Sequence, residues 1–273
     1  MTTARRYLLL SPLLVFVLLP FLWMLQTAVK QDTDLYAYDG IPFWFNSAPT
    51  LQHLNFLLFE TKFASWFTNS MIVGVGVSAI TLVFSTLGGY ALSRYTTRGT
   101  HLMGVGMFLS YLVPQALLFV PLARIMAQLH LNDSIWSLML VYPTMTVPFC
   151  TWFMMGYFRG VPRQLDEAAR IDGASTLQVL RRIVIPLAVP GMITIGLYSF
   201  VVTWQEYLYA ITLISTPDSK TLPVAATTDL VRGDVFFWGS LMSATLLGSL
   251  PTVLVFSLLA KHFISGITSG AVK

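Results

Sequence analysis

The stretch Gln164–Gly191, QLDEAARIDGASTLQVLRRIVIPLAVPG, holds three acidic and three basic side chains, two Pro and two Gly in an otherwise apolar chain. Ionisable groups gathered this way can perform acid–base work, hold a ligand or dock a partner, and spacing decides among these. No Ser/His/Asp set or paired-carboxylate arrangement stands out in the loops, which disfavours a membrane enzyme. The four histidines, His53, His101, His130 and His262, are scattered without metal-ligand spacing. One cysteine, Cys150, excludes a disulfide framework within the chain, and its apolar surroundings read as a packed thiol. A Walker A loop needs Gly immediately before its Lys. The five lysines follow Val29, Thr61, Ser219, Ala260 and Val272, so the chain has no such phosphate cradle.

Local physics gives the stretch a shape. Pro162 suits a first helical turn, where its missing N–H costs nothing. Asp166 and Glu167 then lie near the positive end of the helix dipole. Leu165, Ala168, Ala169 and Asp172 share one face, with the small pair at its centre. Gly173 can take the left-handed conformation that ends a helix. Ser175 and Gln178 fit a capping box opening a second helix through Leu177, Leu180 and Val184. Pro186 and Pro190 mark its passage into the next apolar run. Such a capped knuckle is either a solvated connector or a docking element.

The elements that position it are membrane spans. Of 273 residues, 55% are hydrophobic and 10% charged, and the mean hydropathy is +0.70. An ordinary soluble domain has about 25% charged residues. Six windows have the roughly 20 apolar residues that a bilayer crossing needs: Tyr7–Val29, Ser70–Ser93, Leu102–Ala123, Ile135–Phe158, Leu187–Leu213 and Val235–Ala260. They are too long and too uniformly apolar for barrel strands, so an all-α polytopic protein with six transmembrane helices is expected. Arg5 and Arg6 precede the first window, which is longer than a signal-peptide core and reads as an uncleaved span. With both termini cytoplasmic, eleven of the sixteen Lys and Arg face inside, as the positive-inside rule requires. The knuckle then sits in the inner loop at 159–186, and outer segments run over 30–65 and 215–234. The net charge of +4 lies in short loops without a basic–aromatic patch, so nucleic acid is not an expected partner. Trp44 and Trp66 read as headgroup-level anchors or contacts to a soluble partner. Ion-coupled carriers place ionisable groups within spans; here Glu206, in the fifth window, is the only acid inside any of the six.

Glu167-Ala168-Ala169, Gly173, Ile183 and Pro186 stand at the spacing of the EAA loop, so the chain resembles the permeases of binding-protein-dependent ABC importers. Ile185 replaces the usual Leu. Two further stretches, WQEYLYAITLISTPDSKTLPVA (Trp204–Ala225) and KHFISGITSGAVK (Lys261–Lys273), are similar to the carbohydrate-type, maltose-transporter-like members. Gln205 stands there for Asn and His262 for Arg or Lys.

The resemblance implies a type I importer architecture, with 1–273 as one permease domain. It implies a second homologous permease, two ATPase subunits and an extracytoplasmic sugar-binding protein as partners, in the cell membrane. ATP and Mg would belong to the ATPase, with no cofactor in this chain. Glu167, Ala168, Ala169, Asp172, Gly173, Ile183 and Pro186 would couple to the ATPase. Trp204, Gln205, Glu206 and Tyr207 would border the substrate path. About 20 residues into the fifth span, Glu206 is expected about 30 Å along it, near the outer interface. A structural or gating hydrogen bond suits it better than sugar contact. Segment 215–234, with Asp218, Lys220, Asp229, Arg232 and Asp234, would meet the binding protein. The alternatives are a permease for another solute, such as glycerol phosphate, polyamine or phosphate, and a polytopic membrane enzyme.

Overall fold

The computed structural model describes residues 3–37, 42–95, 97–232 and 235–271, with side chains between 10 and 259 except Arg232. The side chains of Arg5, Arg6 and the Lys261–Lys273 tail, and the whole of Asp234, are outside this description. The order is α1 Thr3–Val29, α2 Asp32–Leu35, α3 Gln52–Asn55, a π-helical turn Phe56–Glu60, α4 Phe63–Arg94, α5 Arg98–Leu112, α6 Gln115–Gln128, α7 Ile135–Val141 and α8 Pro143–Arg159. There follow α9 Arg163–Ile171, α10 Thr176–Val179, a second π-helical turn Leu180–Val184, α11 Ile185–Trp204, α12 Leu208–Leu213, α13 Leu222–Thr228, strands β1 Val231–Arg232 and β2 Val235–Phe236, and α14 Trp238–Ala271. The strands form one antiparallel rung pair, Val231 with Phe236 and Arg232 with Val235.

Among the described residues, five stretches are long and apolar enough to cross a membrane: Leu10–Val29, Phe63–Arg94, Ile135–Arg159, Thr176–Trp204 and Trp238–Leu259. The third expected window departs from a single helix. It is divided between α5 and α6, which meet at 100°. Pro114 lies at the corner; it disfavours helical backbone at the preceding residue, and Val113 is extended, with φ −68° and ψ 124°. At about 1.5 Å per residue neither half spans the roughly 30 Å hydrocarbon core alone, so the pair supplies at most one crossing. The fifth span is displaced as well: it begins at Thr176 and ends at Trp204 rather than Leu213.

Backbone contacts divide the chain into two compact units, 1–68 with 220–251 and 69–219 with 252–273. In the first, the expected outer segments are ordered by buried polar groups. Asp34 accepts from the amides of Asn46 (2.9 Å) and Ser47 (3.0 Å) and from the Ser47 hydroxyl (2.9 Å). These bonds, the Ser47 amide foremost, hold its carboxyl below the usual carboxylate value, and Lys30 adds to them. His53 is buried against the Lys30 carbonyl at 2.8 Å. Trp66 is 2% exposed, so it is a core residue and not an interfacial anchor, whereas Trp44 is 66% exposed.

In the second unit, hydroxyls tie the spans together. Thr81 on α4 meets Thr146 on α8 at 2.7 Å, and Ser199 on α11 donates to Thr81 at 3.1 Å. Small polar residues of this kind join helices where lipid supplies no hydrophobic drive between them. Gly89 on α4 permits the closest approach: a Cβ there would lie 2.6 Å from Cβ of Met154 on α8. Tyr90, Cys150, Met154, Phe158, Val179, Leu180, Val184, Ala188 and Ile195 form the adjoining core.

Candidate functional site

The knuckle has the expected caps. Asp166 lies in the first turn of α9 and Arg170 in its last. Pro162 sits at the cap just before the helix, with ψ 129°, rather than inside the first turn. Gly173 has φ +85°, a conformation that glycine alone adopts freely. The Ala174 amide donates to the Ala169 carbonyl at 2.9 Å and the Gly173 amide to the Arg170 carbonyl at 3.0 Å, which closes a Schellman motif. The Ser175 amide donates to Oε1 of Gln178 at 2.7 Å, and the Gln178 amide to the Ser175 hydroxyl at 3.4 Å, completing the capping box. The helix so begun runs through the π-helical turn directly into α11. Pro186 has no N–H for the Arg182 carbonyl and crowds it, and the wider turn accommodates that strain.

Beneath the knuckle is an ion pair that no local pattern announces. Nε of Arg94, the last residue of α4, donates to Oδ2 of Asp166 at 2.8 Å, and the two side chains are 5% and 8% exposed. Tyr90 donates its hydroxyl to the same carboxylate at 3.3 Å. Arg163 donates to the Ser93 carbonyl at 2.8 Å, a second tie to α4. Removing one partner of a buried pair costs about 3–5 kcal/mol.

The expected coupling residues divide over this base. Glu167, Ala168, Asp172 and Gly173 are exposed at the tip, and Pro186 is exposed where α11 begins. Ala169 and Ile183 are half-buried, and Ala169 packs against the core of its own unit. The small pair is therefore shared, one alanine for internal packing and one for the surface. Sequence reasoning passed over Ile171 and Leu177, which stand 86% and 69% exposed beside Gly173. Ile171 lies off the face of Leu165, Ala168, Ala169 and Asp172, whereas Leu177 has the spacing of the buried Leu180 and Val184, so its exposure is visible only in the structure.

The second candidate region is the break after α11. The Gln205 amide still reaches the Val201 carbonyl at 3.3 Å, but the helix stops and α12 starts two residues beyond Glu206. Glu206 thus stands in a helix break instead of about 30 Å along a continuous span. Its Oε1 accepts the Tyr209 amide at 3.0 Å, and its Oε2 accepts the Ala210 amide at 3.1 Å and the Tyr142 hydroxyl at 2.6 Å. Trp204 is 8% exposed and stacks on Phe200 with centroids 5.5 Å apart, while Gln205 and Tyr207 face outward. The four expected path residues therefore do not converge on one surface. Nearby, Asp133 accepts the amides of Ser215 and Thr216, both at 2.8 Å, and the Thr216 hydroxyl. Those bonds, the hydroxyl first, hold its carboxyl below the ordinary value. Among the described residues no group of three His, Cys, Asp or Glu side chains has the geometry to hold a metal.

The family described as binding-protein-dependent transport system inner membrane component matches residues 85–269. The inner membrane ABC transporter permease protein YcjP of Escherichia coli is 33% identical over 97% of this chain and 94% of its own length. The diacetylchitobiose uptake system permease protein DasC of Streptomyces coelicolor is 30% identical over 96% of this chain and 94% of its own. A solved chain from a bacterial ABC transporter that imports the acidic polysaccharide alginate superimposes with a TM-score of 0.79 at 21% identity, over 96% of this chain and 99% of that one. The chain thus shares the fold of that solved chain over nearly its whole length. By its match over residues 85–269 and its full-length relatives, the chain is a member of the binding-protein-dependent transport system inner membrane component family.

Proposed function

We propose that the chain is one permease subunit of an ATP-driven importer of a sugar or oligosaccharide, and that its knuckle is the seat for a separate ATPase. The carrying observation is the combination of an apolar tip, Ile171 and Leu177, with a base locked by the Arg94–Asp166 pair. An exposed aliphatic pair on a rigid, capped turn suits insertion into a groove of a soluble partner. The excess of Lys and Arg in the inner segments supports a cytoplasmic side for both termini and the knuckle, where ATP is available. A second homologous permease would complete the pathway, two ATPase subunits would hold ATP and Mg, and an extracytoplasmic binding protein would deliver solute. The saccharide class draws support from relatives whose names give a saccharide, DasC among them, and from the alginate importer.

The test is purification of the tagged chain from its native membrane in mild detergent, with mass spectrometry of co-purifying proteins. A binding protein recovered with it is then screened against mono- and oligosaccharides. Recovery of a Walker-motif ATPase with wild type, and its loss with Ile171→Asp plus Leu177→Asp, is expected. Retention of the ATPase by the double variant would refute the seat. A binding protein that ignores saccharides and takes glycerol phosphate or a polyamine would replace the substrate class.

A further inference from the structure

We infer that the buried Arg94–Asp166 pair is the joint that passes displacement of the knuckle to the second and fourth spans, making both side chains positioning residues for transport. The inference rests on the coupling role proposed above.

Three chain segments meet at one guanidinium. Nε and Nη2 of Arg94 hold the two Asp166 oxygens at 2.8 and 3.3 Å. Nη1 donates to the carbonyls of Phe158 (3.1 Å) and Val161 (3.2 Å), and Nη2 also reaches Val161 at 3.2 Å. The end of α4, the last turn of α8 and the first turn of α9 are thereby fixed to one planar group. Arginine suits this place because its five donors lie in a rigid fork and its charge persists at any physiological pH. Lysine has no such fork.

The other route from the knuckle to the spans runs along the chain itself. Past α9 the chain turns at Gly173, where an added Cβ would meet nothing within 4 Å. It then continues through the π-helical turn Leu180–Val184. A push on Ile171 and Leu177 has this path to α11, past the buried Val179, Leu180 and Val184. Through Asp166 it meets a stiff contact within one helix, and it arrives on α4, which is 72 residues away in sequence. Desolvation offsets much of the attraction in a buried ion pair, so what such a pair mainly secures is fixed geometry.

The experiment uses the complete transporter in proteoliposomes, with its ATPase, its binding protein and the saccharide selected in the screen above. Saccharide moved per ATP hydrolysed is measured on assembled complexes of wild type, Asp166→Asn, Arg94→Lys and Asp166→Glu. The joint predicts that Asp166→Asn and Arg94→Lys assemble and hydrolyse ATP but lose about tenfold in that ratio, with Asp166→Glu recovering most of it. A ratio equal to wild type, with uptake and hydrolysis falling together in step with complex yield, would show a structural clamp and overturn the inference. Should Asp166→Asn fail to assemble, Arg94→Lys decides by the same ratio, since it keeps the opposite charges and gives up the carbonyl bridges. Wild type that moves saccharide without consuming ATP would overturn the coupling reading itself, a result visible before any variant is compared.

Discussion

Two carboxylates on the same unit are satisfied in opposite ways. Asp166, under the knuckle, faces a guanidinium at 2.8 Å. Glu206, in the break after α11, is held by one tyrosine hydroxyl and two backbone amides. The first is an ion pair that binds three segments, and the second is an acid stabilised by dipoles at the start of a short helix. The difference teaches where rigidity is needed. A full counter-charge fixes a joint between elements distant in sequence, whereas amide and hydroxyl donors suffice to end one helix and begin the next.

The comparison breaks first at the ion pair. Asp166→Ala leaves Arg94 buried without its carboxylate and should cost about 3–5 kcal/mol, read as a lower denaturation midpoint of the purified protein. A loss under 1 kcal/mol would mean that water reaches the guanidinium. Glu206→Gln should cost less, about 1–3 kcal/mol, because the amide keeps one oxygen for the donors and presents an N–H to one of them. A loss there as large as at Asp166 would show that charge matters equally at both places.

The smallest effect belongs to the loop acids Asp34 and Asp133. Both have folded-state values below their unfolded ones. Their contribution is therefore complete above the unfolded carboxylate value of about 3.9 and is lost as pH falls through the depressed folded values. Replacing Asp133 with Asn should lower the neutral plateau of a stability–pH curve slightly and flatten its acid limb, because the lost contribution is the one present above the unfolded value.

The knuckle was the most legible part of the molecule because its rules are local. A glycine with a left-handed φ, a Ser–Gln box and an acid in the first turn act within a few residues, and the structure has all three. The spans were legible in number and rough position because composition alone reports the solvent around them. Their breaks were less so. Pro114 was in plain view, but a proline inside an apolar run either bends a helix or parts it, and tertiary packing decides which. The end of α11 at Trp204 had no breaker to mark it; Glu206 fixes it by capping the following helix and reaching Tyr142, 64 residues away. For the site, Glu167, Ala168 and Gly173 came from a spacing pattern, while Ile171, Leu177, Arg94 and Asp166 needed coordinates.

By itself the sequence determined a membrane-embedded, all-α chain with one capped polar knuckle, since hydropathy and capping act over short distances. Only the tertiary structure decided which carboxylate meets a cation, which alanine packs inward and which aromatic is buried. Those outcomes depend on segments 64 to 72 residues apart, brought together by a core whose packing no local pattern encodes.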